Sequence, residues 1–527
     1  MLERALTAAL PAVVLVALAW ASGGYYPETW GAVLLVEAIA IACYAIVARQ
    51  INATRRGFVL VGALLALAAW QAISRSWAIA PDGAVLEAER TLVYAGAAGT
   101  ALLLVSRRRL DELVIGVLVG TGIVSIGGLV EYVLDRREPG ERLDVPIGYA
   151  NASGIVAATA LLLGLGLATA GPRWRRVLGA LVVPPAGVAL YLSLSRGALA
   201  AGALGLAVLV ASRLPRARPR LPVAVVTLGL AAVLAVAVHE VLDVRTSPAS
   251  QQGAPQRLLS SSTSYRADYW DVAAGMVADE PLTGDGAGSF GRVWERERPS
   301  LIYARDAHNL YLEMLAEVGL VGLAILLVAL GLPFLRARRA IRVPAGRAAL
   351  AAYVALLAHA AVDWDWELPV VMLCTVTLAV AVLRAGEPAA PSASGAAARA
   401  GLVAAAIGLA TVAFVVHIGN GAVVAAHDAL DRGDPIAAAR EAERARRFAP
   451  WAAEPWRLLG EADAAAGRPV QAEEHIRRAL VEDPNAWESW LALAFATSGR
   501  KRAEAVHRGR ALNPLAPELL VFDDPDP

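Results

Sequence analysis

The side chains best suited to chemistry fall in one hydrophilic stretch, residues 243–309. A polar Ser/Gln/Pro segment, 246–264, leads into Tyr265-Arg266-Ala267-Asp268-Tyr269-Trp270, whose spacing puts Arg266, Tyr269, Trp270, Ala273 and Val277 on one helical face. Such a helix is expected to lie on a membrane surface, its rings at headgroup depth with a guanidinium beside them. Next come Pro281-Leu-Thr-Gly284-Asp-Gly286-Ala-Gly288-Ser-Phe290, then Ala307-His308-Asn309-Leu310-Tyr311-Leu312-Glu313 and Glu317-Val-Gly319. His308 is the only histidine of the stretch, and imidazole is the side chain best placed to take a proton from a hydroxyl near neutral pH. Each residue also has a plain reading. An interfacial Arg snorkels without any role, and a His at a helix entry serves as a second cap beside Asn309.

Other groups that could do chemistry have plainer readings. Gly284-Asp-Gly286-Ala-Gly288 lacks the preceding strand and following Lys-Ser/Thr of a nucleotide loop, so a tight turn that brings backbone near the active face is expected. Asp363-Trp-Asp365-Trp-Glu367 could hold a divalent cation, but reads better as a polar interface turn in a Trp belt. Arg292, Arg296 and Arg298 read as a solvated face, and His239, His359 and His417 as structural residues of apolar spans. Cys43 and Cys374 both sit in apolar runs, which excludes a disulfide framework or a Cys-based zinc site.

The elements that must position these groups are membrane helices. The chain is 57% hydrophobic and 18% charged with a mean hydropathy of +0.52, too apolar for a string of soluble domains. With 48 basic and 47 acidic residues it has no basic field for nucleic acid. Thirteen candidate spans lie near 5–22, 30–48, 57–74, 85–105, 113–134, 150–170, 177–194, 197–212, 223–242, 310–335, 348–362, 367–383 and 400–424. The fourth is weakest, with Glu87, Glu89 and Arg90 in its first turns expected at the interface. The first ends in Ala19-Trp20-Ala21, similar to a signal-peptide cleavage site, but reads as a retained helix because the charge alternation starts from it.

Arginines crowd alternate loops: Arg49 to Arg56, Arg107 to Arg109, Arg173 to Arg176, Arg213 to Arg220, Arg336 to Arg347, and Arg384 with Arg399. The loops between are Arg-poor or, at 135–149, balance three Arg with four acids. Positive loops stay inside. The N-terminus is therefore expected in the cytoplasm, and the 243–309 loop and the C-terminal segment outside it. Residues 427–520 turn amphipathic and repeat: Gly433/Gly467, Pro435/Pro469, Ala438/Ala472, Ala445/Ala479, Pro450/Pro484 and Trp456/Trp490 are each 34 residues apart. That period resembles the tetratricopeptide repeat, over about two and a half units and a short tail, 521–527. A spacer or cap and a docking surface for an envelope partner stand level as its role. An all-α, polytopic bundle is thus expected over 1–426, followed by a soluble helical-repeat domain.

The order Arg-x-x-x-Trp, Pro-Leu-x-Gly-x-Gly-x-Gly-Ser-Phe, His-Asn-x-Tyr-Leu and Glu-x-Gly resembles the O-antigen ligase and polymerase superfamily, in which a large external loop separates the ninth and tenth spans. Gly148-Tyr149-Ala150-Asn151 and Ser195-Arg196-Gly197 add to the likeness, which covers roughly 1–385. The resemblance implies a glycosyltransferase of a bacterial inner membrane that moves a preassembled glycan from a polyprenyl diphosphate to an envelope acceptor. A polymerase of the same superfamily is the alternative; a transporter has little support, for no inverted repeat is visible. It further implies His308, Arg266 and Arg196 as catalytic residues, with Arg305, Asn309, Tyr269 and Trp270 at the substrate. Neither cofactor nor metal is implied. Departure of a diphosphate develops negative charge, and Arg meets it bidentately at any pH.

Overall fold

The computed structural model describes residues 2–48, 50–51, 54–137, 141–213, 265–385, 392–393 and 395–523. The ninth expected span, the 246–264 segment and His239 lie outside the described residues. Among the described residues the protein is all-α apart from a two-residue antiparallel pairing of Gln50–Ile51 with Ser392–Ala393. The first eight helices are α1 (Leu2–Ala19), α2 (Trp30–Val47), α3 (Arg55–Ser74), α4 (Pro81–Leu104), α5 (Leu110–Leu134), α6 (Ala150–Ala168), α7 (Arg173–Leu192) and α8 (Arg196–Ala211). Then follow α9 (Arg266–Asp279), α10 (Phe290–Glu297), α11 (Leu310–Gly331), the short α12 (Ala337–Ala340), α13 (Pro344–His359), α14 (Pro369–Ala385) and α15 (Ala396–Asp431). The repeats supply α16 (Pro435–Phe448), α17 (Ala453–Ala465), α18 (Pro469–Glu482), α19 (Trp487–Ala496) and α20 (Gly499–Leu512).

Among the described residues, seven helices are long and apolar enough to cross a bilayer: those over Pro27–Val47, Arg55–Ser74, Leu110–Leu134, Ala150–Ala168, Arg173–Leu192, Leu310–Ala340 and Ala396–Asp431. Arg4–Ala19, Arg196–Ala211 and Pro369–Ala385 are shorter apolar helices beside them. A helix satisfies its own backbone polar groups, which is what a hydrocarbon surrounding demands. Small residues then let neighbours close in. Gly164 of α6 faces Gly179 of α7, and Gly205 of α8 sits against the Ala351 carbonyl of α13. Helix α14 runs through the centre with every residue from Pro369 to Ala385 buried.

The fourth span departs from expectation. Glu87 and Arg90 are not at an interface: Arg90 is only 3% exposed, ion-paired to Glu87 and, at 2.7 Å, to Glu367. A buried charge needs such partners, and the price of the α4 helix's low hydropathy is met by a counter-charge from the far loop.

The two ends of the bundle differ. At one, Arg384 donates to the Leu102 carbonyl, Arg399 to Ala48, and Arg175 pairs with Asp111. At the other, the segments 20–29, 74–83, 141–149, 281–309 and 360–368 pack together: Gly23 lies against Ile147 and Leu368, Ile79 N–H donates to the Asp285 carbonyl, and Leu310 N–H to Ala360.

Two sequence motifs form one clasp at this second end. Gly286 and Gly319 both adopt φ values in the left-handed region, +93° and +66°, where a side chain is strained. A Cβ on Gly286 would stand 2.3 Å from Ala78, and one on Gly319 2.1 Å from the Leu282 carbonyl oxygen. Gly319 breaks the regular φ/ψ of α11, and the Glu317 carboxylate accepts from Gly288 N–H at 2.8 Å and Phe290 N–H at 2.9 Å. The Gly-x-Gly-x-Gly turn is thereby fixed to α11 and, through Ser74 and Ser289, to the 74–83 loop.

Helix α15 runs unbroken from 396 to 431 into the repeats, which fold back onto the same end. Asp82 accepts from Ala453 N–H at 2.8 Å and Glu454 N–H at 3.3 Å, capping α17 from outside. Arg75 donates to the Trp451 carbonyl at 2.7 Å, Asn485 to Ile79, Arg292 to Glu488 and Arg298 to Asn513. Arg292 and Arg298 therefore do not form a solvated face; their partners come from the repeats. Arg296 does pair at the surface, with Glu297.

Candidate functional site

The site gathers at the repeat-bearing end, where four loops meet. Arg266 opens α9, and its Nη2 lies 3.0 Å from Asp363 Oδ2. Asp363, only 1% exposed, also accepts from the Tyr149 hydroxyl at 2.9 Å and from Asn151 Nδ2 at 2.6 Å. Asn151 is in turn held by Arg142, whose Nε donates to the Ser193 carbonyl. The Asp363 turn is therefore buried in the site and is not a polar interface turn. Burial raises the Asp363 carboxyl, but Arg266, His359 and His308 outweigh it and hold it below the usual carboxylate range. Arg266 Nε is buried and has no hydrogen-bond partner among the described residues, so one face of this guanidinium is unused.

His308 stands at the entry of α11, half-buried and at φ +57°. Its ring lies 5.0 Å from that of Tyr269 and 6.5 Å from that of Trp364. Capping of α11 is left to Asn309, whose Oδ1 accepts from Tyr311 and Leu312 N–H at 3.1 Å. His308 Nδ1 lies 3.0 Å from the Asp306 carbonyl oxygen. A carbonyl only accepts, so Nδ1 carries the hydrogen and Nε2 of the neutral ring keeps its lone pair. Burial lowers the imidazole pKa, with Asp363 pulling the other way and Arg266 adding to the fall. At neutral pH the ring is a base.

Tyr269 and Trp270 are packed on protein rather than at headgroups. Tyr269 meets Trp294 edge-on at 4.7 Å, and Trp270 Nε1 donates to the Ala307 carbonyl at 2.9 Å, so both brace the His308 backbone and ring. Arg305 keeps much of its surface open while crowded by Tyr25, Asp306 and Glu367. Arg196 begins α8 just after Ser195, which caps the helix through Ala198 N–H; Gly197 next to it abuts His359. His359 Nδ1 is 3.1 Å from Asp365 Oδ1. Arg266, His308, Tyr269 and Trp270 are thus brought together around Asp363 and Trp364, with Arg305 on the loop before α11 and Arg196 at the start of α8.

A second buried layer supports the first. Carboxylate oxygens of Asp306, Glu313 and Glu367 lie within 4.8 Å of one another, a donor set that could hold a divalent cation. The charge is already balanced, however. Burial and the neighbouring Glu367 push Asp306 well above the ordinary range, whereas Glu367, despite burial, is kept below it by Arg90 and Arg305. A proton on Asp306, shared with Glu367, accounts for the pair.

Three residues of this constellation, Asp363, Tyr149 and Asn151, were not assigned to the site from sequence. The signal lay in Gly148-Tyr149-Ala150-Asn151 and Asp363-Trp364-Asp365, both visible but separately read.

Comparison with known families gives two matches. Residues 182–327 match the family model described as O-Antigen ligase, and residues 453–496 that described as tetratricopeptide repeat. The first holds Arg196, Arg266, Tyr269, Trp270, Arg305, His308 and Asn309; Asp363 lies beyond it. No curated protein matches the chain.

Proposed function

We propose that this chain, which carries an O-antigen ligase domain over 182–327 and tetratricopeptide repeats behind it, transfers a preassembled glycan from a polyprenyl diphosphate to an acceptor hydroxyl at the outer face of a bacterial inner membrane. The observation that carries this reading is the placing of a half-buried guanidinium with an unpartnered Nε, Arg266, and a histidine, His308, beside one carboxylate, Asp363.

In the reaction His308 Nε2 takes the proton of the acceptor hydroxyl as its oxygen bonds to the anomeric carbon. The bond from that carbon to the diphosphate oxygen breaks, and the electron pair leaves with the diphosphate. Arg266, with Arg196 at the start of α8 and Arg305 from the loop before α11, meets the charge that develops there. Asp363 positions Arg266 and favours the imidazolium that forms. Arginine alternation orients the molecule with its N-terminus in the cytoplasm, so the site and the repeats face outward. The repeats offer a surface for a protein partner.

Deletion of the gene, followed by mass spectrometry of the lipid-linked intermediates, tests the assignment. Accumulated long glycans are expected. Accumulated single units would make the protein a polymerase that uses a second lipid-linked chain as acceptor, and unchanged intermediates would refute both.

A further inference from the structure

Away from the reaction site, a cavity of about 60 Å³ opens between α1, α2, α4 and α14 toward the arginine-rich end. Its walls are largely apolar, including Val14, Leu15, Val33 and Leu373, with Thr7 and Thr377 among them, and its lining includes Val36, which is 40% exposed on the bundle surface. Into it points Glu37 of α2, a residue only 5% exposed, and neither carboxyl oxygen has a hydrogen-bond partner among the described residues. Thr100 Oγ1, also lining the cavity, is likewise unpartnered. Gly96, one helical turn before Thr100 on α4, makes room for the acid: a Cβ there would stand 2.1 Å from Glu37 Oε2.

An intramembrane acid with no counter-charge marks a site rather than packing, since an unpaired polar group in an apolar interior is costly. The neutral acid suits the place, with one O–H to donate. Thr100 donates another from about a turn away. The need is therefore for acceptor oxygens attached to apolar chains. Thr100 lies four residues before the end of α4 and Leu113 three after the start of α5, so the floor of the cavity is close to the helix ends, where lipid ester groups sit. A water needs only about 10–15 Å³ of such space, so there is room for more than one.

We propose that this cavity binds a diacyl glycerolipid of the surrounding leaflet, with Glu37 and Thr100 donating to its ester carbonyls and an acyl chain lying along Val14, Leu15, Val33 and Val36. The inference does not depend on the glycosyl-transfer reading. It is tested by native mass spectrometry of the full-length protein in nanodiscs of dioleoyl phosphatidylglycerol or of its diether analogue, which lacks the carbonyls. Retention of the ester lipid should exceed that of the ether by about fivefold for each hydrogen bond lost, roughly 25-fold for the two. Glu37→Leu and Thr100→Val should each cut that preference by about fivefold and together abolish it, and Glu37→Gln, which still donates, should keep it. Melting of each variant in the same nanodiscs checks folding. Equal retention of ester and ether lipid by the wild-type protein overturns the proposal. So does an ester preference that is undiminished in well-folded Glu37→Leu. A Glu37→Leu protein that melts higher, with wild type showing no ester preference, would mean the cavity holds only water.

Discussion

Among the described residues, replacing Arg90 with Ala removes the only group that neutralises Glu87 by direct contact and one of two cations acting on Glu367. All three are almost fully buried, so no solvent takes over. Removing one partner of a buried ion pair typically destabilises by about 3–5 kcal/mol, because the remaining charge is left uncompensated. The loss should be local first. Glu367, together with the Tyr94 hydroxyl that reaches the Trp366 and Glu367 carbonyls, ties α4 to the turn that carries Asp363. Hydrogen exchange should therefore rise over residues 361–368 before the bundle melts, and the melting temperature of the purified protein should fall. Arg90→Lys, whose single ammonium does not fork to two carboxylates, should fall between. The triple change Arg90→Leu, Glu87→Leu, Glu367→Leu should recover much of the melting temperature, since apolar replacement of a whole buried network is often neutral or better. If Arg90→Ala melts like wild type and leaves exchange at 361–368 unchanged, the network does not hold the turn and the argument fails.

Four further outcomes are expected. Arg266→Ala should slow transfer in a reconstituted assay by roughly 30- to 1000-fold, about 2–4 kcal/mol of lost charge stabilisation, with Arg266→Lys only partly restoring it. His308→Asn keeps a residue that tolerates positive φ, so donor binding should persist while turnover drops by about 10²–10⁴-fold; wild-type turnover would leave His308 no catalytic part. Because the folded protein lowers the His308 pKa, the acidic limb of the rate profile should lie below the ordinary imidazole value of about 6.5, and a limb above it would contradict the base assignment. Asp82, buried beneath the repeats, is raised to about 6 from 3.8, so the docked form binds its proton more tightly than the undocked form does. Docking should consequently weaken as pH rises from about 4 to 6 and then level off; exchange in the first turn of α17 reads this, and Asp82→Asn should flatten it.

The sequence makes the loop chemistry legible because it is local. Arg266 and Trp270 are one helical turn apart, His308 and Asn309 adjacent, and six residue pairs share the 34-residue spacing. What it hides are pairings between distant segments. Asp363 follows Arg266 by 97 residues and lies in an acidic, Trp-bearing turn between two spans, the same composition that an interfacial turn has. Glu87 and Arg90 lower the hydropathy of their span, and only a partner 277 residues away, Glu367, reveals that they are inside. Arg292 and Arg298 have polar neighbours on a short amphipathic helix, and the repeats that cover them are nearly two hundred residues further on: Arg292 and its partner Glu488 are 196 apart. Glu317-Val-Gly319 was visible as a motif, but its meaning as the receiving half of the glycine turn is a matter of contact, not of spacing.

The way the repeats are attached has a bearing on competition. Helix α15 delivers them, through a single stiff connection, to the face where Asp82, Arg75, Arg292 and Arg298 engage them. A short flexible linker presents its cargo at an effective molarity of roughly millimolar, and a stiff one that already matches the span presents it at no less. A free protein that contests this same face with micromolar affinity must reach a large excess over its own dissociation constant before it displaces the docked repeats. A soluble binding partner is therefore better accommodated on the side of the superhelix turned away from the bundle, where it adds to the attached state instead of opposing it.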